Sequence, residues 1–121
     1  MAKRKRPPCV LKPRLRVLRG EDIVLGPGKA DLLDAIARTG ELRRAARRLG
    51  MSYMRAWTLL RTMNAAFREP LVATTRGGSR HGAAGLTETG RKVLALYRAM
   101  ERRSLAASRL SFARLLRLLA H

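Results

Sequence analysis

The chain has 121 residues, with 27 Lys plus Arg against 8 Asp plus Glu and a formal net charge of +19. That length supports one domain with its own core, and a hydrophobic content of 46% excludes wholesale disorder. A single cysteine, Cys9, excludes an internal disulfide framework and a cysteine-rich zinc site, and no apolar run is long enough to cross a bilayer.

Residues 1–12 form a basic flexible arm, in which Pro7 and Pro8 prevent helix. Arg14 to Arg19 alternates basic and apolar residues, as a half-buried strand does. Gly20-Glu21-Asp22 is a turn, Ile23 to Leu25 a second strand, and the two can pair as a hairpin. From Lys29 to Arg38, Leu32, Leu33, Ile36 and Ala37 share a helical face, with Pro27 at the first helical position and Gly40 as the stop. A short helix follows, with Leu42, Ala45, Ala46 and Leu49 on one side and Arg43, Arg44, Arg47 and Arg48 elsewhere. Arg43 stands where a Ser or Thr cap is usual, so its start is weakly capped. Gly50 closes it. Ser52 is a good N-cap for the next helix. There Tyr53, Ala56, Leu60, Met63 and Phe67 face inward and Met54, Arg55, Thr58, Arg61 and Thr62 face outward. Pro70 is expected to break that helix. Leu71 to Arg76 and Ala83 to Leu86 are strands around a loop tip at Gly77 to Gly82. Thr87 caps a long helix with Val93, Leu96, Tyr97 and Met100 on one stripe, which Leu105, Phe112, Leu115, Leu116 and Leu119 continue.

The charge is unevenly placed. Met1 to Arg19 holds eight cations and no acid, Glu41 to Glu69 encloses seven Arg and no acid, and five more Arg follow Glu101. Arg outnumbers Lys 22 to 5, and its planar fork suits phosphate and guanine edges. Five aromatics are too few for a base-stacking platform. The N-terminus lacks the apolar stretch of a secretory signal. The expectation is a soluble cytoplasmic, nucleoid-associated protein whose partner is a polyanion.

The order of elements predicts a mostly α fold with small β: a winged helix-turn-helix over residues 13–86, with an N-terminal hairpin and a wing. A C-terminal helical dimerisation region occupies 87–121. The capped helix after Gly50 is then the recognition helix, which enters the major groove of double-stranded DNA by its N-terminal residues.

The residue string carries more. Thr39-Gly40, Ala45-Ala46, Leu49 to Tyr53, Ala56-Trp57 and Met63-Asn64 resemble the N-terminal DNA-binding domain of the ModE family, the molybdate-responsive regulators. Leu71-Val72, Thr75, Gly77-Gly78, Leu86-Thr87 and Gly90 are similar to that family's wing and the start of its last helix. The resemblance spans Lys29 to Met100. LysR-type regulators share a related helix-turn-helix, but Ser-Tyr-x-x-Ala-Trp favours ModE. Full-length ModE regulators carry molybdate-binding modules after this domain. Within 121 residues there is no room for one, so oxyanion sensing is not expected, although regulation of molybdenum-related genes remains open. Ser79-Arg80-His81 and Ala83-Ala84 replace part of the family's glycine-rich wing tip and make it more basic.

The candidate DNA contacts are Arg43, Arg44 and Arg47 on the first helix of the pair, and Ser52, Tyr53, Met54, Arg55, Thr58 and Arg61 on the recognition helix. Arg76, Arg80 and His81 join them on the wing. Ser52 can equally be a cap alone, and Trp57 belongs to the core or its margin. The candidate dimer interface is Val93, Leu96, Tyr97, Met100, Phe112, Leu115, Leu116 and Leu119. Two copies joined there place their recognition helices on successive major grooves, about 34 Å apart. His81 and His121 are too isolated for a metal site. Gly26-Pro27-Gly28-Lys29 fails as a phosphate loop, since Ile23 and Ala30 occupy positions that need Gly and Ser or Thr. No cofactor, metal, membrane, small-molecule effector or catalytic constellation is expected, and the chain does not read as an enzyme. A sequence-tolerant architectural DNA-binding protein and a protein-interaction adaptor are the competing expectations.

Overall fold

The computed structural model describes residues 6–75 and 82–120. Two strands, β1 (Val17–Arg19) and β2 (Asp22–Leu25), form an antiparallel hairpin. Arg19 pairs with Asp22 across a two-residue loop. Gly20 has φ +63°, so it supplies the positive φ that such a loop needs at its first position.

Three helices follow: α1 (Pro27–Thr39), α2 (Leu42–Arg48) and α3 (Tyr53–Ala66). Pro27 opens α1, and Gly40 closes it in the left-handed conformation. The α2–α3 turn is a Schellman motif. The Met51 N–H donates to Ala46 O at 3.0 Å and the Gly50 N–H to Arg47 O at 3.1 Å. Gly50 carries the left-handed φ of +68° that this motif places after the helix. The core between these helices is made by Leu32, Leu33, Ile36, Leu42, Leu60 and Met63, with Ala45, Ala46 and Ala56 at the crossings. Small side chains there let the axes approach closely.

Strands β3 (Val72–Thr74) and β4 (Ala84–Leu86) form the wing, in register Val72 to Leu86 and Thr74 to Ala84. Glu41 bridges to Ala83, and the Ala84 N–H donates to Gly40 O at 2.9 Å, so the α1–α2 link extends the wing sheet. The last helix, α4 (Glu88–Leu116), has 29 residues and is roughly 43 Å long. Its first turns pack on the body through Gly90, Val93, Leu94 and Tyr97. This is the winged helix-turn-helix that the pattern predicted.

Several expectations need correction. Tyr97 is not on an exposed seam: it is fully buried with Leu25 and Ala30, and its hydroxyl donates to Leu15 O at 2.8 Å. The first turns of α4 cover the hairpin–α1 junction, so a side chain expected at an interface becomes core. Leu119 lies beyond α4, in a terminal turn held by i to i−3 bonds. Pro70 does not break α3, which ends four residues earlier because Phe67 is already extended. The cap position of α2 is Glu41, not Arg43, and no side chain bonds the free N–H groups there. Residues 6–12 have no regular structure. Arg6 donates to Ala120 O at 3.3 Å and Leu15 accepts from Tyr97, so the arm runs back along α4.

Candidate nucleic-acid interface

The start of α3 is built by local chemistry. Ser52 is extended, and its hydroxyl accepts from the Arg55 N–H at 3.1 Å. That is the cap the sequence suggested, and it satisfies one of the free N–H groups of the first turn. Ala56, Leu60 and Met63 hold the buried side of α3, while Trp57 and Leu59 flank it. The opposite side is open: Met54, Arg55, Thr58, Arg61 and Thr62 are all exposed. Tyr53, expected to share the inward face, is 41% exposed instead. The Arg43 guanidinium sits 4.8 Å above its ring centre, a cation–π contact that joins the start of α2 to the start of α3. Sequence spacing missed this pair, because residues ten apart on two helices meet only through the turn between them.

The hydroxyls on this face are already oriented. Thr58 donates to Met54 O at 2.9 Å and Thr62 to Thr58 O at 2.7 Å. Each therefore presents lone pairs and a methyl group outward, a set suited to an exocyclic amine or a thymine methyl.

The cations differ in their freedom. Arg44 pairs with Glu41 at 2.6 Å, and Arg38 pairs with Asp34 at 3.2 Å. Arg48 lines a shallow hollow with Asp31, Asp34 and Arg38, on the α1 side of the molecule. Arg47, Arg55 and Arg61 have no carboxylate partner among the described residues. Arg76, Arg80 and His81 lie outside the described residues. Arg55 and Arg61 thus lie on the open face of α3, and Arg43 reaches the start of that helix through Tyr53.

Two side chains fasten the first wing strand, Asn64 to α3 and Thr87 to the start of α4. The Asn64 amide accepts from the Leu71 and Val72 N–H groups at 2.8 and 3.1 Å and donates to Val72 O at 3.1 Å. The Thr87 hydroxyl accepts from the Gly90 N–H at 3.0 Å and donates to Pro70 O at 2.7 Å. At Gly90 a Cβ would lie 2.0 Å from Leu71 O, so only glycine lets α4 start this close to the wing. Residue spacing gives no sign of these contacts, although Met63-Asn64, Leu86-Thr87 and Gly90 are among the residues that carry the family resemblance.

Along one side of α3 runs an open groove of about 1100 Å³. It is lined by Trp57, Thr58, Arg61 and Thr62 of α3, by Arg19 and Asp22 of the hairpin, and by Thr74 of the wing. Behind it, the Lys29 ammonium is buried and donates to Ile23 O. Burial pushes its pKa below the usual lysine value, and the Asp22 charge opposes that shift.

Of the expected interface residues, Leu96, Met100, Leu115 and Leu116 of α4 and Leu119 beyond it are exposed, and Val93 and Phe112 are half-buried. Leu110 (65% exposed) and Leu118 (88%) are also open and were not among the expected set. Among the described residues no cluster of His, Cys, Asp and Glu could hold a metal ion, and no helix is long and apolar enough to cross a membrane.

Comparison with known proteins agrees with this geometry. Residues 29–91 match the family described as bacterial regulatory helix-turn-helix protein, lysR family. The chain is 46% identical over 70 residues to the molybdenum transport protein ModE of Azotobacter vinelandii, covering 58% of this chain and 26% of that protein. It is 42% identical over 77 residues to the molybdenum-pterin-binding protein MopB of Rhodobacter capsulatus, covering 64% and 28%. Identity to the DNA-binding transcriptional dual regulator ModE of Escherichia coli strain K12 is 35% over 71 residues, covering 59% and 27%. The chain thus matches about a quarter of the length of these relatives. A solved structure described as a CbnR_DBD–DNA complex superposes with a TM-score of 0.59 at 20% identity, covering 73% of this chain and 95% of that one. That likeness shows the fold.

Proposed function

The chain belongs to the bacterial regulatory helix-turn-helix family of lysR type, and from that membership we propose a sequence-specific, double-stranded-DNA-binding transcriptional regulator of the ModE-like kind, working as a homodimer. The observation that carries this reading is the open face of α3. Arg55, Thr58 and Arg61 lie outward on a capped, rigidly backed helix. Arg43 and Arg47 of α2 serve as phosphate contacts, with Arg76, Arg80 and His81 of the wing sequence as further candidates. Ser52 acts as a cap, and its exposed helix start can also face a phosphate. Arg55 can bond a guanine edge bidentately. The DNA-reading role rests on residues 13–86, and the dimer on the exposed apolar residues of α4. The names of the curated relatives point to genes concerned with molybdenum as its targets.

Selection of bound duplexes from a random pool at about 0.15 M salt tests the proposal, since only a short Debye length remains there. Enrichment of an inverted repeat is the expected result. Tight, salt-sensitive binding to every sequence would make the protein an architectural one. Replacing Arg55 by Ala should weaken the selected site by about 5- to 100-fold while leaving random duplex nearly unaffected, as loss of a base contact does.

A further inference from the structure

The groove beside α3 has one wall that the helix-turn-helix itself does not supply. The β1–β2 hairpin brings Arg19 to the groove that Arg61 lines from α3. Neither has a carboxylate partner among the described residues. Asp22, paired with Arg19 across the hairpin, also lines this groove and leaves it one negative charge against the two guanidinium groups. The hairpin is also firmly seated. Val24 and Leu25 are buried, Lys29 donates to Ile23 O, and Tyr97 donates to Leu15 O just before β1. Arg19 is therefore carried by a fixed element, and α3 supplies most of the remaining groove lining.

A helix with its side chains is about 10–12 Å across, and the major groove is about 12 Å wide. A duplex seated on α3 therefore carries a sugar-phosphate strand close along each side of the helix. The strand on the hairpin side runs over this groove. We infer that the β1–β2 hairpin is a second wing, and that Arg19 and Arg61 together hold the phosphodiester backbone bordering the groove that α3 fills. The contact is to phosphate, so it adds affinity and registers the helix without reading bases. This deepens the DNA-binding reading and rests on it.

The test is the salt dependence of binding by the full chain, measured with the selected duplex and with a random duplex. Arg19→Ala should weaken both equally, by roughly 3- to 10-fold per protomer near 0.15 M salt, and lower the slope of log K against log salt by about 0.9 per protomer, one phosphate's worth each. Arg19→Lys keeps the charge and should keep the slope. Arg109→Ala, which removes one charge from exposed α4, should leave the slope unchanged. Far-UV circular dichroism confirms that each variant is folded. An unchanged slope in Arg19→Ala, or an equal fall in Arg19→Ala and Arg109→Ala, overturns the second wing while leaving the regulator standing. Failure of the unaltered chain to bind any duplex overturns both.

Discussion

Asn64 shows how one side chain decides where a helix stops. Its amide makes three hydrogen bonds to the backbone of Leu71 and Val72, so the chain must leave the helix and turn back within a few residues. Asn64→Ala leaves part-buried N–H groups unpaired and should cost about 2–4 kcal/mol in denaturant unfolding. Gly90→Ala drives a methyl onto Leu71 O and should cost more than about 2 kcal/mol by the same measurement. Tyr97 gives a pH signature. Burial raises its phenol pKa above the usual tyrosine value; the Glu101 and Asp31 charges add to the shift, while Arg98 and Arg14 oppose it. A folded pKa above the unfolded one means this contribution is complete below about pH 10. It is lost as pH rises through the raised value. Tyr97→Phe should flatten the alkaline fall in stability seen by urea titration, at the expense of the bond to Leu15 O. Lys29, lowered by burial, acts in the opposite sense as pH approaches its unfolded value, so Lys29→Met is the companion variant.

The α2–turn–α3 unit depends on chain punctuation more than on side-chain energy. Gly50 takes the left-handed conformation and Ser52 caps α3. Ser52→Ala should cost about 1 kcal/mol of stability, with a melting shift that calorimetry can detect. Gly, the i, i+3, i+4, i+7 spacing and the cap are all local, and these boundaries were legible for that reason. The end of α3 was not. Pro70 was the visible breaker, but the partner that matters lies in a strand reached only after the turn. Tyr53 was misread similarly: its place on the helical wheel is near the core face, but Arg43 of α2 draws it into a stack at the edge.

For the molecule as a whole, α4 is divided. Its first turns complete the core through Val93, Leu94 and Tyr97, and Arg98 ties it to Asp31 of α1 at 3.1 Å while also bonding Glu101 at 2.9 Å. Its later turns carry exposed leucines with the 6–15 segment running back beside them. Apolar area of this kind is normally covered by a partner. Light scattering should give twice the 13.5 kDa chain mass, and Leu96→Glu with Leu110→Glu should return it to one chain. The same variant should bind a half-site unchanged but lose the gain that an inverted repeat provides.

Local properties carried the class, the element order and the helix-turn-helix: periodicity, glycine and proline positions, caps and acid-free windows all act between residues close in sequence. The family-like residue string located the recognition helix and wing for the same reason. Contacts between distant segments decided the rest. The Leu15–Tyr97 bond turned an expected interface residue into core, the Asn64 clamp ended α3, and the hairpin brought Arg19 to the groove that Arg61 lines. In each case two stretches far apart in the chain become neighbours, and a pattern read along a single segment carries no term for that encounter.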